Sequence, residues 1–148
     1  MKYNIICILL FLTLIISCDN NDEYDNKDCL RGSGNTIEET RPVSDFIGIT
    51  AGIAGNLYLT QGSTNELRII THPDVMDELK TEIQNGILEI GFDRCISSIE
   101  KLDIFITFRE IRSLNFSGAG NIVSQNDINL AELDIILSGA GDIILSGE

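Results

Sequence analysis

Five carboxylates in the second half of the chain, Asp103, Asp127, Glu132, Asp134 and Asp142, are the residues most able to carry chemistry. On alternating strands they could line one outer face. A pair at fixed separation, one protonated and one ionised, could hydrolyse a glycoside. Outward acids are equally what a solvated sheet face looks like. His72 is the only histidine and sits in Thr71-His72-Pro73-Asp74, which reads as a turn or helix start. A serine–histidine–aspartate set or a nucleophile elbow is not expected. The sequence therefore points away from an enzyme. Action on an extracellular polysaccharide is the alternative reading.

Neither a metal nor a cofactor is expected. Zinc wants four ligands, and one histidine with two mature cysteines does not supply them. "GAGDIILSG", Gly139 to Gly147, has a distant likeness to the glycine-rich calcium nonapeptide, but Asp142 comes one residue after the last glycine of its turn instead of two, and no tandem copies follow. An EF-hand loop is missing. "GSGN", Gly32 to Asn35, has no Gly-Lys-Ser/Thr behind it, so it is no phosphate loop.

The 148 residues leave room for one domain behind a short leader. The formal net charge of −13 disfavours nucleic acid, whose phosphates need a basic face. Residues 1–17 read as a targeting segment outside the fold. Lys2 gives it a positive start, and "IICILLFLTLII", Ile5 to Ile16, is an apolar run shorter than the ~20 residues of a membrane span. The run ends in Ile15-Ile16-Ser17-Cys18, which resembles the bacterial lipobox. That resemblance implies cleavage before Cys18 and lipidation of its sulfur and amino group. The alternative is an ordinary signal peptide with a chance cysteine. Each buried methylene contributes ~0.8 kcal/mol, so several acyl chains would hold the protein firmly to a membrane. Residues 18–30 then form an acidic tether. An acidic run behind the lipid cysteine also looks like the export tag of surface-exposed lipoproteins, against the alternative of a plain spacer. The expected location is the cell envelope, lipid-anchored at the outer membrane.

Of the other cysteines, Cys7 lies in the leader, and Cys29 with Cys95 remain in the mature domain. An even pair in an oxidising compartment favours a disulfide. Such a bridge would contribute about 4 kcal/mol at most by chain entropy. Two unpaired buried thiols are the alternative.

From Arg31 onward the apolar residues alternate, the mark of strands with one buried face. Leu102, Ile104, Ile106 and Phe108 share a face, as do Leu133, Ile135 and Leu137, Leu57 with Leu59, and Leu67 with Ile69. Further strands are expected at 46–51, 80–84, 87–92, 113–117, 121–124 and 142–145. Asn85-Gly86 is a strong hairpin signal, because both central turn positions need positive φ. Pro73 with its following acids predicts one short helix.

"SGAG" followed by Asn or Asp occurs twice, with Gly120-Asn121 and Gly141-Asp142 21 residues apart; Gly34-Asn35 and Gly55-Asn56 have the same spacing. That interval suits one turn of a β-solenoid, with glycine corners and small residues stacking between turns. Ile122 and Ile143 would then point inward. Repeated turn vocabulary in an ordinary sandwich is the alternative.

"RGSGNTIEETRPVSDFIGITAGIAGNLYLTQGS", Arg31 to Ser63, resembles the opening of the head GIN domain family, labelled auto-transporter adhesins. The likeness continues through "LRIITHPDVMDELKTEIQNGILEIGF", Leu67 to Phe92, and both "SGAG" copies. The resemblance implies that residues 31–148 form a right-handed single-stranded β-helix, an irregular all-β solenoid with one short helix. It also implies an adhesin head, and the long flat flanks of a β-solenoid suit an extracellular glycan or protein as partner. Two departures stand out. The segment Ala51 to Asn56 carries one residue more than the corner core. The chain also halts at Glu148, where a solenoid needs a cap, which predicts a truncated gene, a fragment, or an end covered by a partner.

Overall fold

A computed structural model describes residues 29–147. The leader, Cys18 and most of the tether lie outside the described residues. Along the chain run β1 (Leu30–Gly32), β2 (Ile37–Arg41), β3 (Gly48–Ala51), β4 (Asn56–Gln61), β5 (Glu66–Thr71), α1 (Pro73–Glu78), β6 (Leu79–Gln84) and β7 (Ile87–Phe92). Then follow β8 (Ile96–Ile99), β9 (Leu102–Phe108), β10 (Ser113–Ala119), β11 (Ile122–Asp127), β12 (Asp134–Ala140) and β13 (Ile143–Ser146). The fold is all-β with one short helix.

Two large sheets carry the architecture. One has the order β12-β10-β3-β7-β6, the other β13-β11-β4-β9-β5-β2. Their inner faces meet in one core, built from the alternating positions. Ile49 and Ala51 of β3, Leu57 and Leu59 of β4, Ile104, Ile106 and Phe108 of β9, and Leu114 and Phe116 of β10 are all buried. Two facing sheets are also what a sandwich has, but a sandwich is antiparallel. Here β3, β7, β10 and β12 run parallel in one sheet, and β4, β9, β11 and β13 parallel in the other. The antiparallel pairs are β2–β5, β5–β9 and β6–β7, all at one end. Asn85 (φ 52°) and Gly86 (φ 78°) make the β6–β7 hairpin turn.

The parallel strands form four layers, each a strand of one sheet, a corner, and a strand of the other. Their spatial order is not their chain order. The β3–β4 layer lies between β7–β9 and β10–β11, with β12–β13 outermost. Ile122 of β11 therefore pairs with Leu57 on one side and Ile143 on the other. Ile122 is buried and Ile143 half-buried.

Two expectations are corrected. Gly34-Asn35 is not a corner of this stack. It lies in the bend between β1 and β2, where Gly34 has φ 86° and a Cβ there would meet nothing within 4 Å. Its 21-residue distance from Gly55 is coincidental. The corner that stacks on Gly55-Asn56 is Gly120-Asn121, a separation of 65 that comes from the insertion of β5 to β9. Nor does the corner after β3 carry an extra residue. Ala51 pairs with Phe116, Ala54 with Ala119, and Leu57 with Ile122, so the two corners match one for one and Ile53 occupies the place of Gly118.

Candidate functional site

The corners carry a polar ladder built by the strand register. Asn56, Asn121 and Asp142 stand one above another, one per layer. The Asn121 N–H donates to Asn56 Oδ1 at 3.1 Å, and the Asp142 N–H donates to Asn121 Oδ1 at 3.2 Å. Below them Asn56 Nδ2 donates to Asp103 Oδ1 at 3.0 Å. The ladder exists because glycine corners let backbones approach closely. A Cβ on Gly120 would fall 2.0 Å from the Gly55 oxygen, and one on Gly141 would fall 1.7 Å from the Gly120 oxygen. Gln61 and Asn126 tie the same layers at the opposite corner. Asn126 Nδ2 donates to the Gln61 oxygen at 2.8 Å, and Gln61 Oε1 accepts from the Asn129 N–H at 2.7 Å.

Asp103 is 5% exposed and is the one buried acid among the described residues. Lys101 Nζ lies 2.5 Å from its Oδ2. The hydrogen bond to Asp103, and then its charge, raise the Lys101 ammonium above the usual lysine range. A raised lysine pKa keeps its stabilisation at all pH below the unfolded value and loses it as pH rises through the folded value. The pair therefore persists at neutral pH and weakens only in strong alkali. Asp103→Ala leaves Asn56 Nδ2 without its acceptor, so we expect a loss of about 2 kcal/mol in denaturant unfolding at pH 7.

The five carboxylates do not converge. Asp103 and Asp127 belong to the six-stranded sheet, Asp134 begins β12 of the other sheet, Glu132 precedes it in a connection, and Asp142 lies at a corner. The expectation that they share one outer face is therefore corrected. Asp103 and Asp142 share a ladder, but they are three strand spacings apart, about 14 Å at ~4.8 Å per strand. A glycosidase pair stands at ~5–9.5 Å. Among the described residues no group of three or more His, Cys, Asp and Glu is placed to hold a metal ion. His72 occupies the N-cap position of α1 without a side-chain capping bond and is buried, with Nδ1 3.4 Å from the Asn35 oxygen.

A second row crosses the outer face of the six-stranded sheet: Arg68, Phe105, Tyr58, Val123 and Ile144, one per strand. Sequence reasoning did not find it, because the pairing of β4 with β9 is invisible without the stack order. The Phe105 and Tyr58 rings are stacked at 4.7 Å and 16°, and the Arg68 guanidinium lies 3.9 Å over Phe105. The ring spacing equals the strand spacing, so the rings stand upright with their faces against neighbours. Phe105 is covered on both faces. This row stabilises the sheet, and Phe105 has no free ring face for a sugar.

Cys29 and Cys95 are joined by a disulfide with Cα atoms 4.7 Å apart. Ile90 to Asp103 spans thirteen residues where Ala51 to Asn56 spans five, and the insertion holds Cys95 and β8. β1 pairs with β8, so the bridge ties the start of the domain to the corner of the β7–β9 layer.

At the far end of the stack β12 and β13 are edge strands. Ile135 and Leu137 face inward like Leu114 and Phe116 with which they pair, yet they are 43% and 41% exposed; Ile136 and Ile144 are 58% exposed. This is the largest concentration of exposed aliphatic side chains among the described residues.

The model of one family, described as "Putative auto-transporter adhesin, head GIN domain", matches residues 45–148. The chain belongs to the head GIN domain family. Solved structures of similar proteins agree in fold. The chain is similar to a "putative adhesin" from Bacteroides fragilis, with 25% identity and a TM-score of 0.70 over 80% of this chain and 58% of that one. It is also similar to a "Putative lipid binding protein" from Parabacteroides distasonis, at 22% identity and TM-score 0.70, covering 80% and 52%. A "putative adhesin" from Parabacteroides merdae gives 15% identity and TM-score 0.60, covering 74% and 55%. The chain thus spans little more than half the length of these three proteins. Among curated proteins none matches it.

Proposed function

We propose that this head GIN domain is the body of a lipid-anchored, non-catalytic binding module of the cell envelope, held to the outer membrane through Cys18. Its layers form an irregular right-handed β-helix. Parallel strands joined by a crossover through the opposite sheet, as β10 and β12 are through β11, almost always take the right hand. The observation that carries the proposal is the polarity of the stack. The segment that follows Cys18 enters at Cys29, which is bonded to the β7–β9 layer. The β12–β13 layer lies three strand spacings, about 14 Å, further along the stack. Such a body is tethered through the β7–β9 side and displays the flanks of its layers. An extracellular glycan or a protein ligand suits its long flanks, and the scattered carboxylates favour binding over cleavage.

The anchor is tested by feeding cells an alkyne-tagged palmitate. The wild-type chain should take up label and sediment with membranes, and Cys18→Ala should do neither. Equal labelling of both forms would contradict the anchor. A glycan array with product analysis tests the rest. Retention of intact glycans fits a binding module, and shortened products would mark a polysaccharide-degrading enzyme.

A further inference from the structure

We propose that the outer face of the five-stranded sheet holds the ligand site, and that its ligand is an extended polypeptide segment with a basic and an apolar residue two places apart. The proposal rests on the reading of the domain as a binding module and narrows it to one face and one ligand class. Two open clefts adjoin there at Phe92. The first, of about 370 Å³, is lined by Thr50 of β3, Glu89 and Gly91 of β7, and Glu82 and Gln84 of β6. The second, of about 330 Å³, runs from Gly52 and Ser117 to the insertion that holds β8. No residue lining either cleft belongs to the β12–β13 layer.

Charge complementarity fixes one half of the ligand. The register sets Thr50 beside Glu89 and Glu89 directly opposite Glu82, on the side of the sheet away from buried Leu88 and Ile90. Opposed residues have Cα atoms about 5 Å apart, and like charges so placed destabilise a sheet. Lys80 does not neutralise them, because its ammonium pairs with Asp93 at 3.8 Å. Glu82 accepts from the neutral Gln84 amide at 3.4 Å, and the Glu89 carboxylate has no partner among the described residues. An ammonium or guanidinium seated between the two carboxylates removes their repulsion, and the net charge of −13 draws such groups in. The second cleft suits the other half, with Ile53, Ala54, Phe92, Ile96 and Ile99 as its apolar lining. The first cleft reaches Thr50 and the second Gly52, two residues on. That is the step at which an extended segment repeats its side chains on one face, ~6.8 Å. A sugar fits less well. Among the described residues Phe92 is the only aromatic one lining either cleft, and it packs against the core instead of standing out as a flat platform.

The test titrates the full chain, isotopically labelled and held in detergent, with the synthetic probe acetyl-Ser-Ser-Lys-Ser-Leu-Ser-Ser-amide. The amide resonances of Glu82, Glu89, Gly91 and Ser98 should shift to saturation, and those of Tyr58 and Val123 on the other sheet should stay in place. Glu82→Gln combined with Glu89→Gln should weaken binding roughly tenfold or more, as should glutamate in place of the probe's lysine. Gly91→Val should weaken it as much by filling the first cleft, since a Cβ there meets nothing nearer than the Gly52 oxygen at 4.0 Å. An unchanged melting transition would show that both variants keep the fold. No shifts at these amides, or shifts that survive the glutamine pair, would overturn the proposal. So would a glucosamine hexamer that moves the same amides when the probe does not. Each of these failures leaves the binding-module reading standing, which falls instead if the glycan product analysis finds shortened chains.

Discussion

Gly120→Ala is expected to cost about 4 kcal/mol, at the upper end of single substitutions, whereas Gly34→Ala should cost only about 1 kcal/mol. Both glycines stand before asparagine, and both have positive φ, 143° and 86°. The difference is what lies beside them. A Cβ on Gly120 would fall 2.0 Å from the oxygen and 2.7 Å from the carbon of the Gly55 carbonyl. Those are backbone atoms held by the β4–β11 pairing, so they cannot swing aside as a flexible side chain could. The layers must separate, and the Asn121 N–H then loses Asn56 Oδ1. Gly34 has open space around it, so alanine pays only the strain of the left-handed backbone. Denaturant unfolding of the two variants reads the contrast, and equal losses would mean that the corner is not close-packed.

Cys95→Ser is expected to be the other large effect. The bridge spans a sequence separation of 66, for which loop-closure entropy gives about 4 kcal/mol as an upper figure. The loss should be local first. β1 has only three residues and leans on β8, with the Leu30 N–H donating to the Cys95 oxygen at 2.9 Å and the Glu100 N–H donating to the Gly32 oxygen at 3.0 Å. Without the bridge those two amides should exchange with solvent deuterium at least tenfold faster. The Leu57 N–H, which donates to the Asn121 oxygen at 2.9 Å in the middle of the stack, should keep its protection in native conditions. Unchanged exchange at Leu30 would show that β1 is held by its own pairing.

Much of the strand content was legible because it rests on alternation within one segment. Asn56–Gln61, Glu66–Thr71 and Ile87–Phe92 show their apolar period directly and appear as β4, β5 and β7. The hairpin at Asn85-Gly86 was legible because its backbone demand is local. What escaped is what depends on partners. β2 reads Ile-Glu-Glu-Thr-Arg and has no apolar period. It is a strand because β5 offers an edge, because Glu38 pairs with Arg68, and because Arg41 donates to the Met76 and Leu79 oxygens at the end of α1. The stack order escaped for the same reason. The repeat at Gly120 and Gly141 is a true neighbour relation, since nothing is inserted between those layers. The layer before Gly120 in space is 65 residues earlier in the chain, and no period announces it. The Arg68–Phe105–Tyr58 row depends on that order and was hidden with it.

The arrangement of layers is the claim on which the ladder and the separated carboxylates both rest. Backbone nuclear Overhauser contacts in the isotopically labelled protein test it most directly. The account predicts cross-strand contacts between Leu57 and Ile122 and between Ile122 and Ile143, with Leu57 also adjacent to Ile104. Direct backbone contacts between Ile104 and Ile122, with Leu57 outside them, would mean that the layers stack in chain order and would contradict it.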